Sequence, residues 1–516
     1  MAVLILVCGL PGTGKTTVAS AFAAATGALH VNSDVLRKKL GLMGHYTPAD
    51  KARVYEALIE EAKTALMGKR PVIVDSTFYQ EKIREPFRRL ATDCGAELYW
   101  IMVGASEPVI RERVGKERAD SEADFAVYEK IRDAFEPLAG PCLQVWSDRQ
   151  SLPDMVTAIG EYVRRGAGHV TFEQIQTIVD QGLFPGRPAP AEVVETHISW
   201  VILTPDFAFK IKKPVGFHFL DFRTLYQREY SCREELRLNR RLAPQMYLDV
   251  LPVGRDAGNT LRIGGELTET IDFAVQMKRI DNRCQMDVLL AQNKVSSGQM
   301  YALGSLIASF HREHVLRPEA VGYQPGDMQK DFNDLFSLVK PACGIVGEAA
   351  LATFEFWQKT ADRFLKRYEP LVLARIQNGD WVDGHGDLHA RNIFLLPEGP
   401  LVFDCIEFNP HFRKIDRLNE LAFLCMDLDA NGRAELSADF MRGYREKSGL
   451  PGTPDEISLF LYYKAYRANV RLKIALLEWA GRIPEVPAAA ALRYWNLLDT
   501  YMRELVEWAP FLRKGS

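Results

Sequence analysis

The sequence predicts an α/β domain, a parallel sheet with helices on both faces, followed by an α+β domain with a small mixed lobe and a larger helical lobe. Three observations carry this expectation. From residue 1 to about 165, short apolar runs alternate with stretches of helical periodicity, as strands buried on both faces require. Residues 166–195 break that pattern and contain Phe184-Pro-Gly-Arg-Pro-Ala-Pro-Ala191, a Pro/Gly-rich boundary whose middle reads as a connecting helix. Beyond it, β-like segments surround one strong helix near 224–242, and after 285 the chain is helical except for a loop and hairpin near 381–409. The domains are therefore expected at 1–165 and 196–516, the second divided into lobes of about 196–280 and 281–516.

The bulk numbers fit this outline and exclude several classes. A length of 516 residues suits three average domains or two larger ones. With 47% hydrophobic and 25% charged residues the chain is no disordered polymer. Lys plus Arg is 64 against Asp plus Glu 67, a net −3, so no global field gathers nucleic acid or an acidic membrane. Nucleic acid remains an allowed but disfavoured partner. The eight cysteines contain no CxxC, which reads as reduced thiols rather than a disulfide or zinc framework. The apolar start Ala2–Cys8 lacks a basic flank and runs into a glycine loop, so it reads as a strand and not a signal peptide. No other stretch approaches the ~20 apolar residues of a membrane span. A cytoplasmic protein is expected.

Strands are expected at 2–8, 71–75, 97–103 and 142–146. The first leads into Gly9-Leu-Pro-Gly12-Thr13-Gly14-Lys15-Thr16-Thr17, which matches the phosphate-loop pattern G-x-x-x-x-G-K-[ST]. Glycines there let backbone N–H groups converge on phosphates, and the helix that follows presents its positive end. Lys15 is expected to reach the β- and γ-phosphates of ATP or GTP, and the Thr16 hydroxyl to ligate Mg²⁺.

Three further stretches say more: Val31-Asn-Ser33-Asp34-Val-Leu-Arg37, Val72-Ile-Val-Asp75-Ser-Thr77, and Val109-Ile-Arg111-Glu-Arg113-Val-Gly-Lys-Glu-Arg118. With the loop, they make residues 1–160 resemble the small-molecule and polynucleotide kinase branch of P-loop proteins, the zeta-toxin-like and gluconate-kinase-like group. That resemblance implies that Asp34 takes the proton of an acceptor hydroxyl, Arg37 holds the acceptor, and Asp75 lies near the metal. It makes Arg113 and Arg118 lid arginines that neutralise transferring phosphate. The residues alone also allow Ser33-Asp34 as a helix cap, and Arg111, Arg113, Lys116 and Arg118 as a solvated helix face.

In the second domain His385-Gly-Asp387-Leu-His389-Ala-Arg-Asn392 has the spacing H-x-D-x-x-x-x-N, and Asp404 closes the apolar run Leu401–Asp404. Between them lies a hairpin. An Asp base, an Asn metal ligand and a hairpin-borne second Asp mirror the eukaryotic-type kinase core. HGD in place of HRD, and Cys-Ile-Glu after Asp404, point to the aminoglycoside and choline phosphotransferase relatives, hence to a protein-kinase-like fold. From about 170 onward the chain resembles an uncharacterised aminoglycoside-phosphotransferase-like family found fused to P-loop kinases. In those fusions the P-loop unit follows; here it leads.

Other residues fill the expected kinase parts. Lys210 and Lys212 share one face of a strand, and either would grip nucleotide phosphates, Lys210 being preferred. Glu235 flanks the buried stripe of its helix and would partner that lysine, with Glu234 solvated. Asp272–Lys278 resembles the strand entering the adenine hinge. Lys464, Arg467 and Arg471 recur on one helix face; that stripe would bind an anionic acceptor, balance the catalytic carboxylates, or simply be solvated. His389 joins Arg467 and Arg471 as an acceptor-side candidate. The expected function is a bifunctional ATP- or GTP-dependent, Mg²⁺-requiring transfer of phosphate to a hydroxyl of a small molecule, sugar-, aminoglycoside- or nucleoside-like. The alternatives are a polynucleotide or nucleotide-sugar acceptor, or a P-loop domain that only regulates.

Overall fold

Apolar strands without alternation need cover on both faces, and Ala2–Cys8 (β1) gets it. The computed structural model describes residues 2–115, 124–138, 140–217, 220–480, 488–509 and 512. β1 sits at the centre of a five-stranded sheet with Leu29–Asn32 (β2), Val72–Asp75 (β3), Ala96–Gly104 (β4) and Leu143–Trp146 (β5). The order is β2-β3-β1-β4-β5 and every pairing is parallel. Leu4, Leu6 and Cys8 enter one apolar cluster and Ile5 and Val7 the other, so alternate residues of one strand serve two cores. Helices Lys15–Thr26 (α1), Ser33–Lys39 (α2), Pro48–Met67 (α3), Glu81–Asp93 (α4), Glu107–Val114 (α5), Phe125–Asp133 (α6) and Leu152–Gly166 (α7) connect and cover the strands. β2 is the strand the apolar pattern did not mark: its Leu-His-Val-Asn has only two apolar residues.

The chain divides into two compact units, Met1–Leu236 with Leu248–Arg279, and Arg237–Tyr247 with Ile280–Ser516. The first unit holds a second sheet of Glu192–Glu195 (β6), Ser199–Leu203 (β7), Phe207–Lys212 (β8), Tyr247–Arg255 (β11), Leu261–Ile263 (β12) and Glu269–Lys278 (β13), in the order β12-β11-β13-β8-β7-β6. A short hairpin, Gly216–Phe217 (β9) and Leu220–Asp221 (β10), precedes helix Leu225–Asn239 (α9). The segment read as a boundary contains helix Phe172–Asp180 (α8), whose Ile175 and Ile178 are buried in the core of this sheet, and the edge strand β6. Thr196–Ile198 form the turn between β6 and β7, where Thr196 N–H donates to Ser199 O. A buried ion pair fastens α9 to the sheet: Arg228 Nε lies 2.9 Å from Asp272 Oδ1, and Asp272 Oδ2 accepts the Val170 N–H at 3.2 Å. Asp272, read as part of a hinge strand, thus has a structural partner on α9.

The second unit is mainly helical. It comprises Met286–Ala291 (α10), Ser297–Glu313 (α11), Pro318–Val321 (α12), Asp327–Asn333 (α13), Val339–Val346 (α14), Ala349–Gln377 (α15), Arg417–Ala430 (α16), Ala434–Ser448 (α17), Pro454–Ala480 (α18) and Ala488–Trp508 (α19). Four short strands frame the motif region: Trp381–Asp383 (β14) pairs antiparallel with Lys414–Asp416 (β17), and Ile393–Leu396 (β15) with Gly399–Val402 (β16). α16 is buried all along 418–428, as a central helix without a solvent face must be. Among the described residues no helix is long and apolar enough to cross a membrane.

α11 and α17 pack backbone against backbone. A Cβ at Gly443 would lie 2.1 Å from Tyr301 O, and one at Gly304 would lie 2.0 Å from Phe440 O. Gly443→Val is therefore expected to destabilise the second unit by about 2 kcal/mol or more, read as a lowered urea midpoint, while a Val at exposed Gly298 costs far less.

Candidate functional site

The first site lies where the parallel strands end. After β1 the backbone turns through Gly9, Gly12 and Gly14; Gly14, the N-cap of α1, has φ 92° and no side chain to cap the helix. Lys15 Nζ donates to Leu10 O at 2.9 Å, folded back over the loop. Thr13 Oγ1 also donates to Leu10 O, and Ser147 Oγ at the end of β5 donates to Thr13 O at 2.6 Å. Arg113, on α5, reaches the same loop: its NH1 donates to Ser147 Oγ at 2.7 Å and to Gly12 O at 3.3 Å. Arg113 is thus held at the phosphate loop rather than on a solvated face. Thr17 is exposed on the first turn of α1. Arg118 lies outside the described residues.

Thr16 Oγ1 donates to Asp75 Oδ2 at 2.7 Å, so the expected metal hydroxyl and the carboxylate closing β3 meet. Asn32 and His30, both on β2, hold that carboxylate and were missed in the sequence. Asn32 Nδ2 is 2.9 Å from each Asp75 oxygen, and His30 Nε2 is 2.5 Å from Oδ1. The Asn32 Oδ1 in turn accepts the N–H groups of Asp34 and Val35 at 2.9 and 2.8 Å. Asn32, not Ser33 or Asp34, is therefore the N-cap of α2, and one side chain ties the Asp75 carboxylate to the helix turn that carries Asp34. An Asn that opens Asn-Ser-Asp after an apolar residue was the available signal. Arg37, one turn further, is buried; its NH1 donates to His45 O at 2.7 Å and its guanidinium lies 4.5 Å from the Tyr46 ring centroid.

In the second sheet both candidate lysines of β8 hold one carboxylate: Lys210 Nζ is 2.9 Å from Glu235 Oε1 and Lys212 Nζ 2.7 Å from Oε2. Burial raises the Glu235 carboxyl, but the two ammonium groups overcome it and hold it down at about 2. Lys212 has no exposed side-chain surface whereas Lys210 keeps 15%. Lys210 is the one with access to a ligand.

The second unit holds the acidic motif. Asn392 Nδ2 donates to Asp387 O and Oδ2 at 3.0 and 3.1 Å, and His389 Nε2 lies 3.2 Å from Asp387 Oδ2. Burial pushes the Asp387 carboxyl up, yet the charge and hydrogen bond of His389, with His385 and Arg471, hold it well below the usual carboxylate range. His389 is thus a partner of Asp387. Phe403 N–H donates to Asn392 O at 3.0 Å, which brings the neighbouring Asp404 beside Asn392. Asp404 was read as the end of a strand; β16 stops at Val402, and Asp404 has φ 61°. A left-handed Asp cannot continue a ladder, and a conformation that costs about 1 kcal/mol or more persists where surroundings enforce it. Tyr247 Oη accepts the Asp404 N–H at 3.2 Å and Asn239 Oδ1 the Cys405 N–H at 2.8 Å.

α16 anchors the acidic motif. Glu420 Oε1 accepts the N–H groups of His385 and Gly386 at 2.7 and 2.6 Å, its Oε2 is 2.6 Å from His311 Nε2, and Asp427 Oδ2 accepts the Ala390 N–H at 2.9 Å. Glu420 and Asp427 are two turns apart, so they share a face. Arg467 was one of the acceptor-side candidates. It is buried, with Nε on Asn419 Oδ1 at 2.7 Å and NH1 on Gly386 O at 3.2 Å, and so supports the loop. Lys464 pairs with Asp429 at 2.5 Å. Arg471 is half-buried, its guanidinium 5.4 Å from the Tyr494 ring centroid. The stripe is neither solvated nor shared in one role.

Residues 4–138 match the model of the AAA domain family. An uncharacterised protein of Mycobacterium tuberculosis is 34% identical over 315 residues, and the aligned stretch spans 60% of each chain. A gluconokinase from Sinorhizobium meliloti is 21% identical, covering 31% of this chain and 95% of that one, with a TM-score of 0.25. A choline/ethanolamine kinase family protein from Mesorhizobium loti is 15% identical, covering 66% of this chain and 100% of that one, with a TM-score of 0.38.

Two predictions follow from the clamps. Asn32→Ala removes the cap of α2 and two bonds to a buried carboxylate, and is expected to cost about 1–3 kcal/mol in chemical denaturation. Glu420, held at about 2 against 4.5 for an ordinary glutamate, contributes stability that is complete above pH 4.5 and lost as pH falls toward 2. Its share is about 3 kcal/mol. Glu420→Gln should be less stable than wild type at pH 7, with a shallower loss of stability below pH 4.5.

Proposed function

We propose that this protein is an ATP- or GTP-dependent phosphotransferase with two transfer centres, each passing the γ-phosphate to a hydroxyl of a small molecule. One observation supports the reading: each unit sets a carboxylate against a polar partner, a hydroxyl in the first and a carboxamide in the second, at the motif expected to take phosphate or nucleophile. In the first centre that pair is Thr16 and Asp75 next to the Lys15 loop; in the second it is Asp387 and Asn392 with Asp404 alongside.

Among the described residues no group of three His, Cys, Asp or Glu side chains forms a metal cluster. Hard oxygen donors in ones and twos fit Mg²⁺, which keeps waters and phosphate oxygens in its shell. Thr16 and Asp75 would hold it in the first centre, Asn392 and Asp404 in the second, where bound Mg²⁺ would neutralise phosphate charge. Lys15 and Arg113 would draw negative charge off the transferring group, Asp34 would orient an acceptor hydroxyl, and Lys210 would grip nucleotide phosphates with Glu235 fixing its position. Asp387 would orient the acceptor hydroxyl of the second centre and receive its proton.

The test is label transfer from γ-labelled ATP with Mg²⁺ to a pool of sugars, aminoglycosides, nucleosides and short RNA. Lys15→Ala and Asp387→Ala are each expected to abolish a different product, by about 100-fold or more. Transfer that survives Lys15→Ala intact would make the P-loop domain regulatory, and survival in Asp387→Ala would remove the role given to that carboxylate.

A further inference from the structure

The helix that carries Glu235 is packed, at its start, into the P-loop domain. Tyr226, in the first turn of α9, stacks on Tyr162 of α7, with ring centroids 4.2 Å apart and planes 14° from parallel. Tyr162 also meets Tyr99 of β4 edge-on at 5.8 Å. Both stacked rings pack against the apolar cluster that Val18, Ala19 and Phe22 of α1 form with Met155 and Ile159 of α7.

Two buried arginines reinforce the stack. Just before α9, Arg223 NH1 donates to Ala91 O, in the last turn of α4, at 2.6 Å. A guanidinium there complements the negative end of the helix. Asp221 accepts from Nε and NH2 of the same group at 2.8 and 2.7 Å and fixes its orientation. Arg228, with no exposed surface, donates from NH2 to Gly168 O, just past α7, and from Nε to Asp272 on β13.

What α9 holds further along is the nucleotide side of the second centre. Glu235 comes nine residues after Tyr226, about 14 Å along the helix axis, and is buried between Lys210 and Lys212. The helix ends at Asn239, whose Oδ1 accepts the Cys405 N–H next to Asp404. At the other extreme of these contacts stands the phosphate loop. α1 begins at Lys15, whose Nζ is 2.9 Å from Leu10 O, and its Val18 and Phe22 belong to the cluster that receives Tyr226. A γ-phosphate at the loop would draw the Lys15 ammonium from Leu10 O and fix the first turn of α1. Close-packed interiors transmit such a change instead of absorbing it.

We infer that a nucleoside triphosphate at the phosphate loop tightens nucleotide binding at Lys210, the two sites being coupled through the docking of α9 on α7 and α4. The inference rests on the two-centre reading above and adds to it the control of one centre by the other. α9 ordered by the first nucleotide leaves less for the second to order. By linkage, the second tightens the first by the same factor.

The test is calorimetric titration of full-length protein with β,γ-imido-ATP and Mg²⁺. Wild type is expected to bind two equivalents, and Lys15→Ala and Lys210→Ala one each. The Lys210 site, measured alone in Lys15→Ala, should bind at least about fivefold more weakly than in wild type with the phosphate loop filled, the lower end of site-to-site couplings. Tyr226→Ala, alone and combined with Lys15→Ala, should keep its sites and lose the fivefold difference. Tyr226→Phe, which retains the stacked ring, should restore it. Two equivalents bound independently in wild type, or a coupling untouched by Tyr226→Ala, would overturn the inference and leave two centres standing. A single equivalent in wild type would bring down the two-centre reading and the coupling with it. A second measurement leaves the dock intact: amide hydrogen exchange in Lys210→Ala, where the analogue fills the phosphate loop alone. Saturation is expected to slow exchange of peptide 225–239 several-fold and to leave peptide 434–448 of α17 unchanged. Equal exchange of 225–239 with and without the analogue would equally sink the coupling.

Discussion

The acidic motif of the second unit depends on two buried carboxylates of one helix, Glu420 above all. A loop that must present Asp387 cannot satisfy its own N–H groups in a strand or helix, and buried N–H groups left alone cost about 1–3 kcal/mol each. Glu420 answers both His385 and Gly386, and Asp427 answers Ala390. A charged acceptor binds such donors about twice as strongly as a neutral one, and His311, itself bonded to Tyr444, occupies the remaining Glu420 oxygen. The loop is thus fixed to a helix with no solvent face, and its geometry inherits the rigidity of the core.

The first centre solves the same problem with Asp75. That carboxylate ends a central strand and receives Thr16, Asn32 and His30. Because Asn32 also caps α2, the carboxylate next to the phosphate loop and the helix turn bearing Asp34 share one support. Functional side chains come from loops, yet their positions are set by strands and helix starts whose register the sheet dictates. In both units a polar residue of no apparent chemistry does the positioning.

The parts with fixed local chemistry were legible in the sequence. A phosphate loop needs glycines at set intervals, and a D-x-x-x-x-N spacing before a hairpin needs few other residues. Buried parallel strands announce themselves by unbroken apolar runs, as at Ala2–Cys8. The parts set by tertiary partners were hidden. β2 has too few apolar residues to register. Glu420 lies 35 positions from His385, and nothing in Glu-Leu-Ala-Phe-Leu distinguishes a loop clamp from a salt-bridging surface acid. Arg467 recurs in a basic stripe, and only its contact with Asn419 and Gly386 O shows that it faces inward. Asp404 illustrates a third reason: an apolar run predicts a strand, but the positive φ that ends it belongs to one residue and leaves no periodic trace.

The electrostatics of Asp387 bear on how such a centre would work. A carboxyl held well below its usual range by His389, His385 and Arg471 stays ionised at neutral pH and is a weak base. Strong proton abstraction would call for the opposite, a carboxyl raised toward neutrality. Phosphoryl transfer through a loose transition state asks less: the nucleophile gains little charge before the bond forms, so its proton need leave only late. An ionised, immobile carboxylate that aligns a hydroxyl suits that demand. In the proposed centre the hydrogen bonds of Asn392 and His389 to Asp387 would be positioning devices, holding the carboxylate where it would align an acceptor oxygen instead of tuning it to pull a proton.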